Sequence, residues 1–149
     1  MIRQMRGRAW KFGDNIDTDI ITPGDTISFG LADSEEARQV MENAFRTLRP
    51  GFCKLVKPGD ILVAGRNFGF GSHREQANTV LSHLGLSAVV AESVARIYFR
   101  NSIAIGFPVF EAPGITEMVE EGDELEISTE SWTLHNLSSG KRVALEPYS

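Results

Sequence analysis

The sequence predicts an α/β protein with a mixed sheet: a parallel middle joined to an antiparallel C-terminal part. Two short apolar runs, Ile61-Leu62-Val63-Ala64 and Ser87-Ala88-Val89-Val90-Ala91, carry the parallel part. Between them Ala77, Val80, Leu81 and Leu84 fall on one helical face, so the segment reads as a βαβ unit with parallel strands. Beyond Gly122 the pattern switches to alternation, in Glu124-Leu125-Glu126-Ile127-Ser128 and Ser131-Trp132-Thr133-Leu134-His135, which is the period of a half-buried strand.

Taken in order, Gly7 to Phe12 reads as a strand, broken by Gly13-Asp14-Asn15. Asp17-Thr18-Asp19-Ile20-Ile21 follows and runs into Pro23-Gly24. If this stretch is extended, Asp17 and Asp19 face one side; the alternative is turn and cap chemistry. The loop from Asp25 to Ala32 has no period and is expected to be mobile in the isolated chain. Asp33-Ser34-Glu35-Glu36 supplies a capping box for a helix with Ala37, Val40, Met41, Ala44, Phe45 and Leu48 at helical spacing, ending before Pro50-Gly51. Lys57-Pro58-Gly59-Asp60 is a turn into the first apolar run. After the second run, Ser93 to Ile103 reads as a helix carrying Arg96 and Arg100 on one face, a pair that suits an anionic partner or a solvated surface. A strand begins in Gly106–Phe110, and Ile115 to Glu120 is a short helix. Arg142-Val143-Ala144-Leu145 completes a C-terminal meander, after a turn at Leu137-Ser138-Ser139-Gly140. Trp10, Phe45 and Trp132 are expected in the core.

Composition narrows the function. The chain has 149 residues, enough for one domain with a sizeable core, and 42% of them are apolar. No apolar run approaches the length of a spanning helix and the N-terminus has no h-region, so a cytoplasmic location is the default, with no membrane partner. A net charge of −5 argues against nucleic acid as a partner. The single cysteine, Cys53, forms no internal disulfide and builds no cysteine-rich metal site. His73, His83 and His135 show no ligand spacing, so chemistry that needs a metal or cluster takes its ligands from another chain.

The most informative stretch is Gly65-Arg66-Asn67-Phe68-Gly69-Phe70-Gly71-Ser72-His73-Arg74-Glu75-Gln76-Ala77. An apolar strand feeds a glycine-rich turn that opens a helix, which aims N–H groups and the positive end of the helix dipole at one spot. Ser72-His73-Arg74-Glu75 is itself an S-x-x-E capping box, and a serine there satisfies backbone donors. Gly69 and Gly71 also permit close backbone approach, and Arg74 places a cation where the dipole disfavours one, which suits a bound carboxylate or phosphate. The same field stabilises the alkoxide of Ser72 and makes it a usable base. No Ser-His-Asp arrangement, G-x-S-x-G elbow or G-x-G-x-x-G fingerprint is present.

Taken together, several motifs resemble the small subunit of the isopropylmalate isomerase branch of the aconitase superfamily. They are Gly7-Arg8-Ala9-Trp10-Lys11-Phe12-Gly13-Asp14, Ile16-Asp17-Thr18-Asp19-Ile20-Ile21, Pro23-Gly24, Gly59-Asp60, the Gly65–Ala77 stretch and Ala95-Arg96-Ile97-Tyr98-Phe99-Arg100-Asn101. The resemblance runs from about Arg6 to Phe110. It implies a single swivelling β/β/α three-layer domain over residues 1–149 that closes over a large subunit. That partner would carry three cysteines holding a [4Fe–4S] cluster, so the cofactor belongs to it and not to this chain. The implied reaction is dehydration and rehydration of a hydroxy-diacid, with the cluster as Lewis acid. In isolation the chain has homo-oligomer formation open to it.

Residue by residue, the resemblance makes Ser72 the base and gives Asp19 a supporting catalytic role. It puts Arg74 at the substrate carboxylate, with His73 where relatives commonly have a second serine. Three departures stand out. The segment after Pro23-Gly24 that reads the substrate's variable group is Thr26-Ile27-Ser28 in place of a Tyr-Leu-Arg type. His73 replaces a serine, and Phe70 stands where relatives often have cysteine. An isopropylmalate-type substrate is the first expectation; homoaconitate or a dimethylmalate-like diacid is the alternative. A non-catalytic anion-binding domain is the reading from another class.

Overall fold

A computed structural model describes residues 3–23, 34–72 and 76–147. The elements run β1 (Gln4–Lys11), α1 (Thr18–Ile21), α2 (Ser34–Asn43), α3 (Phe52–Leu55), β2 (Ile61–Ala64), α4 (Gln76–His83), β3 (Ala88–Ala91), α5 (Arg96–Ala104), β4 (Val109–Glu111), α6 (Ile115–Met118), β5 (Glu124–Ser128), β6 (Thr133–Asn136) and β7 (Arg142–Ala144). The seven strands form one sheet in the order β4-β3-β2-β1-β5-β6-β7. The β4-β3-β2-β1 part is parallel and the β1-β5-β6-β7 part antiparallel, as the switch in sequence period predicts.

Strand β1 is the seam. Its C-terminal end pairs with β2, Ala9 opposite Ile61, while its N-terminal end pairs with β5, Met5 opposite Ile127. The two pairings use successive stretches of one long strand, and the antiparallel strands β5 and β6 share a core with one face of β2 and β3. Gly7 sits at this seam: a Cβ there would overlap the backbone of Gly59 and Asp60. Asp60, only 3% exposed, pins the crossing by accepting from the backbone N–H of Arg8 and Lys57 and from the Trp10 indole N–H at 2.8 Å.

Burial follows the layers. β2 and β3 are buried at every position, so their inner residues divide between two cores. Leu62, Ala64, Val89 and Ala91 pack with Phe12, Phe45, Phe52, Val80 and Leu81 under the helices. Ile61, Val63, Ala88 and Val90 pack on the other face with Phe110, Ile115, Leu125, Ile127 and Leu134. The result is a helical layer, a parallel layer and an antiparallel layer.

Of the two readings of Asp17–Ile21, turn and cap chemistry is the one observed: Thr18–Ile21 is a helical turn, and Asp17 caps it by accepting from the Ile20 N–H at 2.8 Å. Three local expectations need correction. The helix that begins at Ser34 stops at Asn43 rather than near Leu48, because Phe45 turns left-handed (φ 59) and donates its N–H to the Ile20 carbonyl. The helix expected from Ser93 starts at Arg96, since Phe68 forms a bridge to Val94 and accepts from the Ala95 N–H. Trp10 and Trp132 pack against the cores but stay partly exposed, whereas Phe45 is fully buried.

Candidate active site

The site lies beyond the carboxyl ends of β1, β2 and β3, where ligands bind in open α/β sheets. The strap from Gly65 to Ser72 leaves β2 and is tied on both flanks. On the β1 side, Gly65 N–H donates to Gly13, Arg66 N–H to the Asp14 carboxylate at 2.7 Å, and Gly69 N–H to the Ile16 carbonyl at 2.7 Å. On the β3 side, Asn67 N–H donates to Ser93 Oγ at 2.8 Å and Phe68 N–H to the Ser93 carbonyl. Backbone donors that a strand would use are thus met by neighbouring loops.

Two glycines in this strap do specific work. Gly69 has φ 82, and a Cβ would run into the root of the Tyr98 ring. Gly71 has φ 111, and a Cβ would lie 2.9 Å from Thr18 Oγ1. Both conformations are ones that glycine adopts without steric cost.

Ser72 ends the strap and is exposed. Its Oγ is 3.3 Å from Thr18 Oγ1, and the Thr18 N–H donates to the Phe70 carbonyl at 2.8 Å. Two sequence-predicted motifs 54 residues apart therefore meet here. Asp19 follows Thr18 on α1 and is exposed, in the first helical turn, where a carboxylate complements the dipole. His73 and Arg74 lie outside the described residues, as do Thr26, Ile27 and Ser28 and the whole Asp25–Ala32 loop.

Sequence reasoning missed the groups that hold α5 in place. Buried Asn78 donates to the Tyr98 carbonyl at 3.1 Å and to Ser102 Oγ at 2.9 Å. The Tyr98 hydroxyl donates to the Ala77 carbonyl at 2.6 Å, and burial pushes its pKa far up, so it acts as a fixed donor and not as a base. An amide and a phenol on opposite helices leave no periodic signal. Glu92 spans the loop after β3 to the start of α6. Burial raises its pKa, but bonds from Thr116 Oγ1 (2.7 Å), Thr116 N–H and Gly114 N–H, with the Arg66 charge, outweigh that and hold the carboxyl below its usual range.

On the far flank of the strap an apolar cavity of about 310 Å³ is lined by Phe70, Gly71, Arg96, Ile97 and Tyr98, among others. Arg96 and Arg100 are exposed and form no ion pair among the described residues. Cys53 is elsewhere, in a cavity with Met41, Glu42 and His83 between the helices. Among the described residues no group of three His, Cys, Asp or Glu side chains fits a metal ion, so they do not fit the ligands of a cluster. No helix among them is long and apolar enough to cross a membrane.

Residues 31–110 match the model of the aconitase C-terminal domain. The chain is 46% identical over 145 residues to the 3-isopropylmalate dehydratase small subunit of Thermodesulfovibrio yellowstonii, covering 97% of this chain and 83% of that one. The chain belongs to the isopropylmalate dehydratase small-subunit family of the aconitase superfamily. The methanogen homoaconitase small subunit of Methanothermobacter thermautotrophicus is 47% identical over 146 residues, 97% of this chain and 81% of that one. The fold agrees: a crystal structure of 3-isopropylmalate dehydratase from Methanocaldococcus jannaschii superposes with a TM-score of 0.88 at 35% identity, covering 99% of this chain and 84% of that chain. The mixed α/β architecture is therefore that of the small-subunit family.

Proposed function

We propose that this chain is the small subunit of a hydro-lyase that dehydrates and rehydrates a hydroxy-dicarboxylate of the isopropylmalate type, acting as one swivel domain over a large subunit. The observation that carries the reading is Ser72, exposed at the end of a strap that is hydrogen-bonded on both sides. A general base needs that combination: an accessible oxygen on a rigid support.

In this reading Ser72 Oγ takes the proton from the carbon next to a substrate carboxylate and later returns it. Arg74 offers a bidentate fork to that carboxylate, and His73 adds a second donor. Asp19 supports the site from α1. Thr26, Ile27 and Ser28 take the place of the segment that reads the variable end of the substrate. With no arginine in that segment, the substrate's variable group is expected to be smaller or less charged than in relatives with a Tyr-Leu-Arg type segment. The [4Fe–4S] cluster belongs to the large subunit and supplies Lewis-acid chemistry at the substrate's oxygens.

Reconstitution tests the reading. The chain is combined anaerobically with a large subunit and assayed on 3-isopropylmalate, homoaconitate, citramalate and dimethylmalate. Turnover of one of these acids that requires both chains supports the proposal. Anion binding by this chain alone, with no turnover in any combination, would favour the non-catalytic domain instead.

A further inference from the structure

We propose that Thr18 is the positioning residue of Ser72: its hydroxyl donates to Ser72 Oγ and holds down the pKa of that oxygen. The inference rests on the reading of Ser72 as the base. Thr18 is 3% exposed while Ser72 is open to solvent, so the pair has a buried member and an accessible one. The buried member does not wander. Its N–H is held by the Phe70 carbonyl and its own carbonyl accepts from Thr22 N–H, both at 2.8 Å. The turn it starts is capped by Asp17. Thr18 is therefore bonded through its backbone to the strap that carries Ser72, which keeps the two hydroxyls side by side.

Gly71 makes the approach possible. Any side chain there would place Cβ 2.9 Å from Thr18 Oγ1, so either that hydroxyl or the strap would have to shift. The residue before the reactive serine is thus bare on the side that faces Thr18. At 3.3 Å the contact is long for two neutral hydroxyls. It is a contact that shortens when charge develops on one partner, as hydrogen bonds at catalytic groups do in the reacting complex. The direction follows from chemistry: a deprotonated serine oxygen only accepts, so Thr18 donates in the state that matters. Other charged groups near Ser72 are Asp17 and Asp19 on α1, Arg96 on the far flank of the strap, and His73, Arg74 and Glu75 next in sequence. Thr18→Val keeps every one of these charges, so a shift in the pH profile that Thr18→Ser reverses reports the hydroxyl itself.

The test uses the heteromer reconstituted with the large subunit, assayed on whichever of 3-isopropylmalate, homoaconitate or citramalate the wild type turns over fastest. Thr18→Val, which keeps the shape and removes the donor, is expected to lower kcat about 10- to 100-fold, the worth of a hydrogen bond to a charged group. KM stays unchanged, and the ascending limb of the kcat–pH profile moves about one to two units to the alkaline side. Thr18→Ser restores both. In a Ser72→Ala background Thr18→Val has no further effect on turnover, because its action passes through that oxygen. Wild-type kcat and limb in Thr18→Val would overturn the proposal, as would equal impairment of Val and Ser variants with an unmoved limb. Thr18→Ala serves if the valine variant does not assemble; an unmoved limb there overturns the proposal equally. The two readings fail separately: an active Ser72→Ala removes the base, whereas an inactive Ser72→Ala beside a fully active Thr18→Val removes only the positioning role.

Discussion

Gly69→Ala tests whether the strap is held where the hydrogen bonds put it. Two costs add. An alanine at φ 82 is in the left-handed region, at about 1–2 kcal/mol. Its Cβ would also overlap Cβ, Cγ and Cδ1 of Tyr98, at the root of the ring and not at a flexible end. Tyr98 has nowhere to go: it is 3% exposed, its hydroxyl is fixed to Ala77, and its ring packs edge-on to Phe68 at 5.5 Å. Overpacking of that kind costs about 1–3 kcal/mol. The sum is about 2–5 kcal/mol, and for a chain of this size the Tm falls by at least about 4 °C. Gly13→Ala is the control, since a Cβ there meets nothing within 4 Å. Thermal unfolding followed by circular dichroism reads both. A Gly69→Ala variant with the wild-type Tm would refute the packing argument, and with it the claim that Ser72 stands on a rigid support.

Glu92→Gln should cost about 1–3 kcal/mol near pH 7, because bonds to a carboxylate from Gly114 and Thr116 weaken to bonds with a neutral amide. The folded pKa of Glu92 lies below its unfolded value, so its contribution is present above about pH 4.3 and disappears as pH falls through the folded value. Denaturant melts across pH should show wild type and Glu92→Gln converging in acid; a constant gap would contradict the assignment. Arg49→Met should raise the titration of Glu121 seen by NMR. The Arg49 guanidinium bonds that carboxylate and is the leading cause of its lowered pKa, while lying 5.4 Å from the Trp10 ring and 5.2 Å from that of Phe12. An unmoved Glu121 would show that the pair is not formed in solution.

The parts of the fold that were legible in sequence are those where burial imposes one simple period. β2 and β3 are buried on both faces and read as unbroken apolar runs; β5 and β6 are buried on one face and alternate. What was not legible depends on contacts between distant segments. One helical turn at Thr18–Ile21 is too short to show a 3.6-residue period, so the sequence leaves an extended pair and a cap at Asp17 both open. Phe45 sits at helical spacing yet leaves the helix to bond Ile20, a tertiary contact that overrides propensity. α3 is another single turn, entered through a left-handed Gly51. At the site, the glycine-rich strap and Ser72 announce themselves by composition. Thr18 does not, because its partner is 54 residues away and a threonine in a cap-like segment has an ordinary explanation. Asp60 reads only as a turn residue, although it is a buried carboxylate that ties β1 to the turn before β2.

The central claim is that the Ser72 oxygen moves the substrate proton. The most direct measurement is kcat of Ser72→Ala in the reconstituted heteromer, at cluster content and assembly matched to wild type. The account predicts a loss of about 10²–10⁴-fold with the Tm of the isolated chain preserved. A Ser72→Ala heteromer that turns over its diacid near the wild-type rate would contradict it.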